Sequence, residues 1–484
     1  MSNINFTKDL LEILQFNDSF HYFVPFPFVN SNSFVKKDFD DKGIPTLFIN
    51  LKSTINDLSC PHCGCVDHHE SKGTRAIHLK HFSFGSLQVV LVVNYHRYYC
   101  KHCNRYFAEV IPFRFDNRTA TTPNVQNALF EFKENHSMAS ISRMHGLGKN
   151  TIYRVFKENV VIPSRYYHLS TVISIDEFKA TSDKGTYAFN IVDPVTGRTL
   201  DILEDRRYSF LRSYFLRFPY SQRCKKVKII IMDLSPAFRS IMRALFPNAQ
   251  IICDRFHYAR LVGQNLVQAR LDACLSIGDT PLSKSIKRQS RLFYKYYKDL
   301  DNKKSWYDHH LKRHFTCKSY IDFLFELADR KDSNEANEEE KRTAIIIEEF
   351  YENYRIYQNL IRLIREDHED YRKELNRWLN HIFKTQNRYY EVTAKNFRKT
   401  WFMAMVHSLN DTATYIRHGK SYETSYNNGF IEGMNNKIKV LKRNAHGFRY
   451  FENLRKRIFM HLGYSYTFRY NKVENAKGVA IATR

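Results

Sequence analysis

Two aspartates close strand-like segments at positions where they could bind a metal ion together. Asp176 closes a β-rich run that begins at Thr171, and Asp233 closes an apolar run that begins at Lys226. Predicted strands and helices follow one another here as β-β-β-α-β-α-β, an order in which the first and fourth strands lie side by side. The two carboxylates are therefore expected at one edge of a sheet. Because close carboxylates repel each other unless a cation lies between them, this pattern predicts a divalent-metal site.

The elements that must position these aspartates indicate a ribonuclease-H-like domain within a multidomain α/β protein. A turn signal at residues 194–197 separates the second predicted strand from the third. The predicted strands cover residues 171–178, 186–193, 198–204, 226–233 and 249–254, and the predicted helices cover residues 209–218 and 236–245.

A large helical segment interrupts this domain before a third acidic residue appears. Residues 264–418 contain one glycine and one proline, which predicts an almost all-helical insertion, with residues 332–340 as a solvated acidic loop. Helix is expected again at residues 428–443, which include Glu432. A glutamate beside the two aspartates would complete a three-carboxylate, two-metal centre for in-line phosphoryl transfer. The residues alone favour the plainer interpretation, a surface glutamate on a basic helix.

Further polar residues surround these three in the sequence. Asp254, Arg255 and His257 follow the last predicted strand; His257 could contact a scissile phosphate or orient a metal ligand. The alternative is that this cluster only braces the junction between strand and helix. Beyond Glu432, the same helix carries a polar, basic stripe that would follow a DNA backbone in a salt-sensitive way, formed by Asn435, Asn436, Lys439, Lys442 and Arg443.

The cysteines predict a second, structural metal site. Two CxxC pairs, Cys60/Cys63 and Cys100/Cys103, flank strand-like runs, and two such turns can close a tetrahedral Cys₄ zinc site in a small zinc ribbon. Such a closed site leaves no open position for catalysis. The neighbouring residues Cys65, His62 and His102 remain alternative ligands.

A helix-turn-helix is predicted after the zinc ribbon. Residues 137–144 and 149–157 read as two short helices separated by a turn that contains Gly146 and Gly148. Ile152, Val155 and Phe156 are expected to pack inward on the second helix. The residues left to contact DNA phosphates or base edges are Lys149, Asn150, Thr151, Tyr153, Arg154 and Lys157.

The composition favours a polyanionic partner. The 484 residues include 75 lysines and arginines against 50 acidic residues, a net charge of +25. No run of apolar residues is long enough for a bilayer span, and the N-terminus lacks the features of a secretory signal. We therefore expect a soluble, cytoplasmic, nucleoid-associated protein. Aromatic residues are frequent, and Trp401 is one candidate for stacking on unpaired bases.

The motifs together resemble the ISL-three family of bacterial insertion-sequence transposases from about Leu58 to His461. This resemblance implies a catalytic triad of Asp176, Asp233 and Glu432 that holds two Mg²⁺ ions, for which Mn²⁺ could substitute. The shared landmarks besides the cysteines and the helix-turn-helix are residues 175–178, 232–235, 253–257 and 431–439, together with Lys442, Arg443, Gly447 and Phe448.

The resemblance also implies a substrate and a domain plan. The protein would bind the terminal inverted repeats of its element in double-stranded DNA, cut the strands and join them to target DNA as a homodimer. Two alternatives are a zinc-ribbon regulator with a catalytically silent ribonuclease-H-like domain and a structure-specific nuclease. The expected divisions are an N-terminal segment 1–55, zinc ribbon 56–113, helix-turn-helix 118–165, catalytic core 168–262, helical insertion 263–420, glutamate-bearing helix 421–464 and basic tail 465–484.

Overall fold

The computed structural model describes residues 23–54, 58–84, 87–116, 118–162, 168–417, 420–463 and 467–468. The first 22 residues and most of the predicted basic tail lie outside the described residues. No helix in the described ranges is both long enough and apolar enough to cross a membrane. The chain divides into two compact units: Met1–Ser164 with Thr181–Lys184 and Asn436–Arg484, and Arg165–Ala180 with Gly185–Asn435.

The first unit contains a six-stranded sheet built around a long antiparallel hairpin. Its strands are β1 (Phe23–Pro25), β2 (Val35–Phe39), β3 (Pro45–Ser53), β4 (His69–Phe84), β5 (Leu87–Cys100) and β6 (Arg105–Ala108). Val89, Leu91 and Val93 of β5 are buried at alternate positions, as the period of a strand requires. The parallel pairing of β3 with β5 brings strands from before residue 56 into the sheet, which is therefore larger than the predicted ribbon.

Three helices follow this sheet in the first unit: α1 (Thr122–Phe130), α2 (Met138–Met144) and α3 (Lys149–Asn159). The Ser137 hydroxyl caps α2 by accepting a hydrogen bond from the backbone of Ser140, and Gly146 at φ +61° forms the turn before α3. The three residues of α3 that were expected to pack inward are buried. A short strand, β7 (Val160–Val161), pairs with Thr467–Phe468.

The second unit is built on a five-stranded sheet in the order β10-β9-β8-β11-β12. Its strands are β8 (Val172–Ser182), β9 (Gly185–Asp193), β10 (Arg198–Leu203), β11 (Ile229–Met232) and β12 (Gln250–Cys253). The parallel pairing of β8 with β11 confirms that the first and fourth predicted strands are neighbours. Two helices between these strands are α4 (Tyr208–Phe215) and α5 (Pro236–Leu245).

The predicted insertion is mostly, but not entirely, helical. Its helices are α6 (Arg255–Ile277), α7 (Pro281–Arg288), α8 (Cys317–Glu326), α9 (Glu338–Arg365), α10 (Tyr371–Lys384), α11 (Glu391–Asn396) and α12 (Phe402–Asn410). Two hairpins interrupt them, β13 (Trp306–Asp308) with β14 (Arg313–Phe315), and β15 (Thr412–Arg417) with β16 (Lys420–Ser425). The prediction of an acidic loop was wrong at its end, because Glu338, Glu339 and Glu340 form the first turn of α9, where carboxylates interact favourably with the helix dipole.

The chain ends with two more described helices, α13 (Gly429–Asn444) and α14 (Phe451–His461). Helix α13 confirms the predicted return to helix after the insertion. Single turns of 3-10 or π helix occur at Glu131–Lys133, Ser221–Lys226, Ser290–Tyr294, Tyr297–Asp299, Leu327–Asp332 and Phe397–Trp401.

Candidate active site and cysteine cluster

The two aspartates occupy equivalent positions on neighbouring strands. Ile231 of β11 is the partner of Ser174 of β8, and two further residues along each strand lead to Asp233 and Asp176. Asp233 follows β11 directly, as expected. Asp176, in contrast, does not close its strand, because β8 continues to Ser182 after its pairing with β11 has ended. The carboxylates thus lie at the edge where the parallel ladder stops.

Both carboxyl groups are costly to ionise in the metal-free protein. Burial raises the pKa of Asp176 to about 7, and the nearby charge of Asp233 contributes to this rise. Burial also raises the pKa of Asp233 to about 6, with the charges of Asp254 and Glu432 acting in the same direction. A bound cation would offset both the loss of solvation and the repulsion between the carboxylates.

Helix α13 presents three polar residues to this pair. Asn428, immediately before the helix, Glu432 and Asn435 are spaced four and three residues apart, which places them on one face of the helix. The Asn428 side chain donates a hydrogen bond of 2.8 Å to Asp233, and the Asn435 side chain donates one of 2.7 Å to Asp176. Each aspartate therefore receives one amide donor from the element that carries Glu432.

The two asparagines are held in place by buried partners. The side-chain oxygen of Asn428 accepts a hydrogen bond of 2.6 Å from Ser174, and that of Asn435 accepts one of 3.1 Å from Asn190. Ser174, Asn190 and both asparagines are buried. Because each amide oxygen already has a donor, the NH₂ group of each asparagine is fixed toward its aspartate.

Of the three polar residues predicted after β12, Asp254 and Arg255 connect neighbouring elements, whereas His257 contacts the carboxylates. The Asp254 carboxylate caps α6 through the Phe256 backbone and also accepts a hydrogen bond of 2.6 Å from the backbone of Asn428. Arg255 donates to the backbone carbonyl of Ser408 at 2.7 Å, near the end of α12, and so braces the helices.

His257 reaches the carboxylates themselves. Its Nε2 lies 3.0 Å from an oxygen of Asp233 and 3.9 Å from an oxygen of Glu432. A histidine in this position can orient the Asp233 carboxylate. The side chain of Glu432 is the most exposed of these groups, with 45% of its surface accessible.

The donor set fits divalent cations that prefer oxygen ligands. Asp176, Asp233 and Glu432 supply only carboxylate oxygens, the usual ligands of Mg²⁺. Among the described residues, however, the cysteine cluster is the group of three or more potential ligands that lie within 4.8 Å of one another. In the same ranges, the three carboxylates do not form such a group.

The four predicted cysteines do come together in the first unit. The sulfur of Cys60 lies 3.6 Å from that of Cys103, and the sulfur of Cys63 lies 3.7 Å from that of Cys100. Tetrahedral zinc with Zn–S bonds of 2.3 Å requires sulfur atoms about 3.8 Å apart. The cluster has this size, whereas the alternative ligands Cys65, His62 and His102 are not among its members.

Local backbone structure explains why the two CxxC turns form. The residue after each second cysteine, Gly64 or Asn104, has a positive φ, of +72° and +55°, which only glycine and asparagine adopt readily. Hydrogen bonds from the Cys103 and His102 backbone lower the pKa of Cys100 to about 7, which favours a thiolate. Burial and the neighbouring thiols raise the pKa of Cys103 to about 12, so a bound cation would favour the ionised form of this sulfur.

The predicted DNA-contact residues of α3 differ in their exposure to solvent and in their contacts. Lys149, Asn150 and Arg154 are exposed, and Thr151 is half-buried. The hydroxyl of Tyr153 accepts a hydrogen bond of 3.2 Å from Asn453 of α14. The remaining residue of this set, Lys157, is exposed, with its amine over the ring of Tyr450. On α13, Asn436, Lys439 and Arg443 are exposed and Lys442 is half-buried.

Two residues considered from the sequence do not occupy the expected positions. Trp401 is only 1% exposed and packs in the core of the second unit, so it cannot stack on a base. Asn435 was expected on the exposed basic stripe, but it is buried against Asp176. The spacing of Asn428, Glu432 and Asn435 places all three on one helix face, and this spacing could have identified both asparagines as neighbours of the aspartates.

Comparison with known proteins adds an independent line of evidence. Residues 173–458 match the ISL3 transposase family, a span that contains both aspartates, Glu432 and the insertion. Over 410 residues the chain is 23% identical to the transposase for insertion sequence element IS1001 of Bordetella parapertussis, a match that covers 84% of this chain and 88% of that protein.

A shorter match has less weight. Over 110 residues the chain is 32% identical to an ATP-dependent protease of Lactococcus lactis subsp. lactis, which covers 23% of this chain and 30% of that protein. The long family match includes every element that surrounds the two aspartates. This chain belongs to the ISL3 family and is a transposase of an insertion sequence.

Proposed function

We propose that this transposase cuts and joins DNA strands by metal-dependent phosphoryl transfer at Asp176, Asp233 and Glu432. The observation that carries the proposal is the convergence of Glu432, Asn428 and Asn435 of one helix face on the two half-buried aspartates. Two Mg²⁺ ions bound by the three carboxylates would activate a water molecule or a 3′-hydroxyl and stabilise the leaving 3′-oxygen.

The chain's own contribution is to hold these groups in place before the substrate arrives. The Asn428 side chain holds one oxygen of Asp233, whereas the Asn435 side chain and the Glu177 backbone each hold one oxygen of Asp176 by hydrogen bonding. His257 contacts the same oxygen of Asp233 as Asn428 does and helps to orient this carboxylate. Since Asp254 ties the start of α13 to the start of α6, the position of Glu432 depends on the strand that ends at Cys253.

The first unit is proposed to recognise the terminal inverted repeats. The exposed side chains of Lys149, Asn150 and Arg154 at the start of α3 suit phosphate and base-edge contacts. A zinc ion at Cys60, Cys63, Cys100 and Cys103 would stabilise the sheet of the same unit. Lys439 and Arg443 of α13 would contact the DNA backbone, and two copies of the chain would hold the two element ends.

The proposal is tested with duplexes that contain the ends of the element. The full-length protein should cleave these duplexes with Mg²⁺ or Mn²⁺, and it should join pre-cut ends to a second duplex. Binding of the ends without cleavage under any divalent cation would instead favour a regulator, and cleavage without joining would favour a nuclease.

Recognition by α3 is tested separately from catalysis. The variant Lys149→Gln/Arg154→Gln should lose most of its preference for element ends over unrelated duplex, because two contacts that fix the recognition helix are removed. Lys72→Gln is a suitable control, since Lys72 is exposed on β4 of the same unit and pairs with Glu70. Equal preference for element ends in both variants would contradict this role for α3.

A further inference from the structure

The hairpin β13–β14 in the second unit carries a concentration of exposed cations outside the site described above. We call residues 303–314 the basic hairpin. Lys303, Lys304, Lys312 and Arg313 are all exposed, whereas its single acidic residue, Asp308, is buried. The same segment contains three histidines, namely His309, His310 and His314.

In the described ranges, none of these four cations forms an ion pair with an aspartate or glutamate. Asp301 is the nearby acidic residue: it accepts hydrogen bonds from the backbone of Lys303 and Lys304, and their charges help to lower its pKa. Elsewhere in the insertion, cations with a structural role are paired, for example Arg330 with Glu340. Unpaired cations side by side repel each other, which is favourable only where a polyanion binds.

The basic hairpin is also rigidly anchored. One oxygen of Asp308 accepts hydrogen bonds of 2.9 Å from the backbone of both His310 and Leu311, and the other accepts one of 2.7 Å from the Ser285 hydroxyl. Ser285 in turn hydrogen-bonds to Tyr320, and both are buried. Anchoring of this kind reduces the ordering entropy that binding would otherwise cost.

An aromatic residue lies among the charges. Tyr307 is 42% exposed, and its ring lies 5.1 Å from that of His309 and 5.0 Å from that of His314. Exposed rings between cations are typical of nucleic-acid surfaces, where a cation contacts a phosphate and a ring packs on a sugar or base.

We propose that the basic hairpin is a second DNA-binding surface of this transposase, one that contacts the phosphate backbone of duplex DNA independently of base sequence. The inference rests on the proposed function, because it takes duplex DNA as the substrate. Binding at the hairpin would rely on charge and on the anchored shape of its turn, and it would therefore weaken steeply as salt is added.

The test compares two double variants that remove the same charge from the same insertion. Lys312→Gln/Arg313→Gln changes the hairpin, and Arg330→Gln/Lys331→Gln changes two neighbouring cations that pair with Glu340 and Glu348. Binding of the full-length proteins to a labelled duplex of mixed sequence is measured in Mg²⁺-free buffer between about 50 and 200 mM salt. The hairpin variant should lower the slope of log K against log salt by about two and weaken binding roughly tenfold per lost contact near 0.1 M salt.

A second hairpin variant controls for a change in folding. Arg313 lies over the rings of Phe315 and Phe323, so its loss could disturb packing, whereas Lys303→Gln/Lys304→Gln removes charge without touching those rings. Both hairpin variants should lower the slope while the control keeps the wild-type value.

The outcomes separate this inference from the proposed function. Equal weakening in the hairpin variants and the control would overturn the inference, because only overall charge would then matter. Unchanged binding in both hairpin variants, with wild-type cleavage intact, would overturn it alone. A wild-type protein that neither binds nor cleaves duplex DNA would overturn the proposed function as well.

Discussion

Replacement of Asp233 by asparagine should stabilise the metal-free protein while it abolishes cleavage. Asparagine keeps the side-chain oxygen that accepts hydrogen bonds from Asn428 and His257, so no contact is lost. The substitution removes a carboxyl group whose ionisation is opposed by burial and by neighbouring acidic groups, which together raise the pKa of Asp233 to about 6.

The size of the effect follows from the pKa shift. A rise of about two units above the ordinary value of 3.8 corresponds to about 3 kcal/mol of differential free energy. Because 29% of the side chain is exposed, screening by solvent reduces the expected gain to about 1–2 kcal/mol. For a unit of this size, that gain raises the unfolding midpoint by about 2–6 °C.

The pH dependence has a definite sign. A carboxyl whose pKa is higher in the folded state costs no stability below about pH 4, where it is protonated in both states, and its full cost appears above about pH 6. The advantage of Asp233→Asn should therefore be absent near pH 4 and complete near pH 8. Thermal unfolding followed by circular dichroism in Mg²⁺-free buffer measures it.

Two comparisons make this experiment decisive. Asp205→Asn is the matched control, because Arg207 lowers the pKa of Asp205 and its replacement should give no gain or a small loss of stability. Mg²⁺ should raise the midpoint of the wild-type protein more than that of Asp233→Asn, since binding to the folded state alone is stabilising. The reasoning would be refuted if the unfolding midpoint of Asp233→Asn near pH 8 were no higher than that of the wild type. It would also be refuted if Mg²⁺ raised the midpoints of the two proteins equally.

Three further outcomes are expected. Asn428→Ala and Asn435→Ala should each lower kcat for cleavage about 10- to 100-fold with little change in DNA affinity, because they release an oxygen of an aspartate; steady-state kinetics and binding assays check this. His257→Ala should raise the Mg²⁺ concentration needed for half-maximal cleavage, which a metal titration measures, since Asp233 loses its orienting partner. Cys63→Ser should reduce the zinc content measured by elemental analysis and destabilise the first unit, whereas Cys224→Ser, in the second unit and outside the cluster, should leave zinc content unchanged.

The pairing of the aspartates could be predicted because it depends on local order. The order of the predicted strands and helices leaves few ways to arrange the first and fourth strands other than as a parallel pair. The pairing of β8 with β11 follows that rule. Glu432 could not be connected to these strands by the same reasoning, since a long insertion separates it from them and only the family resemblance made the link.

Other features escaped prediction for physical reasons. Asparagine is mostly exposed in proteins, so the sequence placed Asn435 on a polar stripe, whereas the structure buries it against Asp176. The parallel pairing of β3 with β5 joins segments distant in sequence, which no local pattern records. The two hairpins of the insertion have short strands, and their weak β-propensity is outweighed by the helical pattern of the segments around them.

The most direct test of the central claim concerns Glu432. Glu432→Gln keeps the size and hydrogen-bonding capacity of the side chain but removes the charge, and Glu423→Gln is its control, because Glu423 is exposed on β16 and bonds to Thr412. Cleavage of duplexes with element ends, in Mg²⁺ and in Mn²⁺, should be lost in Glu432→Gln and retained in Glu423→Gln, with DNA binding equal in both. Cleavage by Glu432→Gln at the wild-type rate would show that this carboxylate does not act in the reaction.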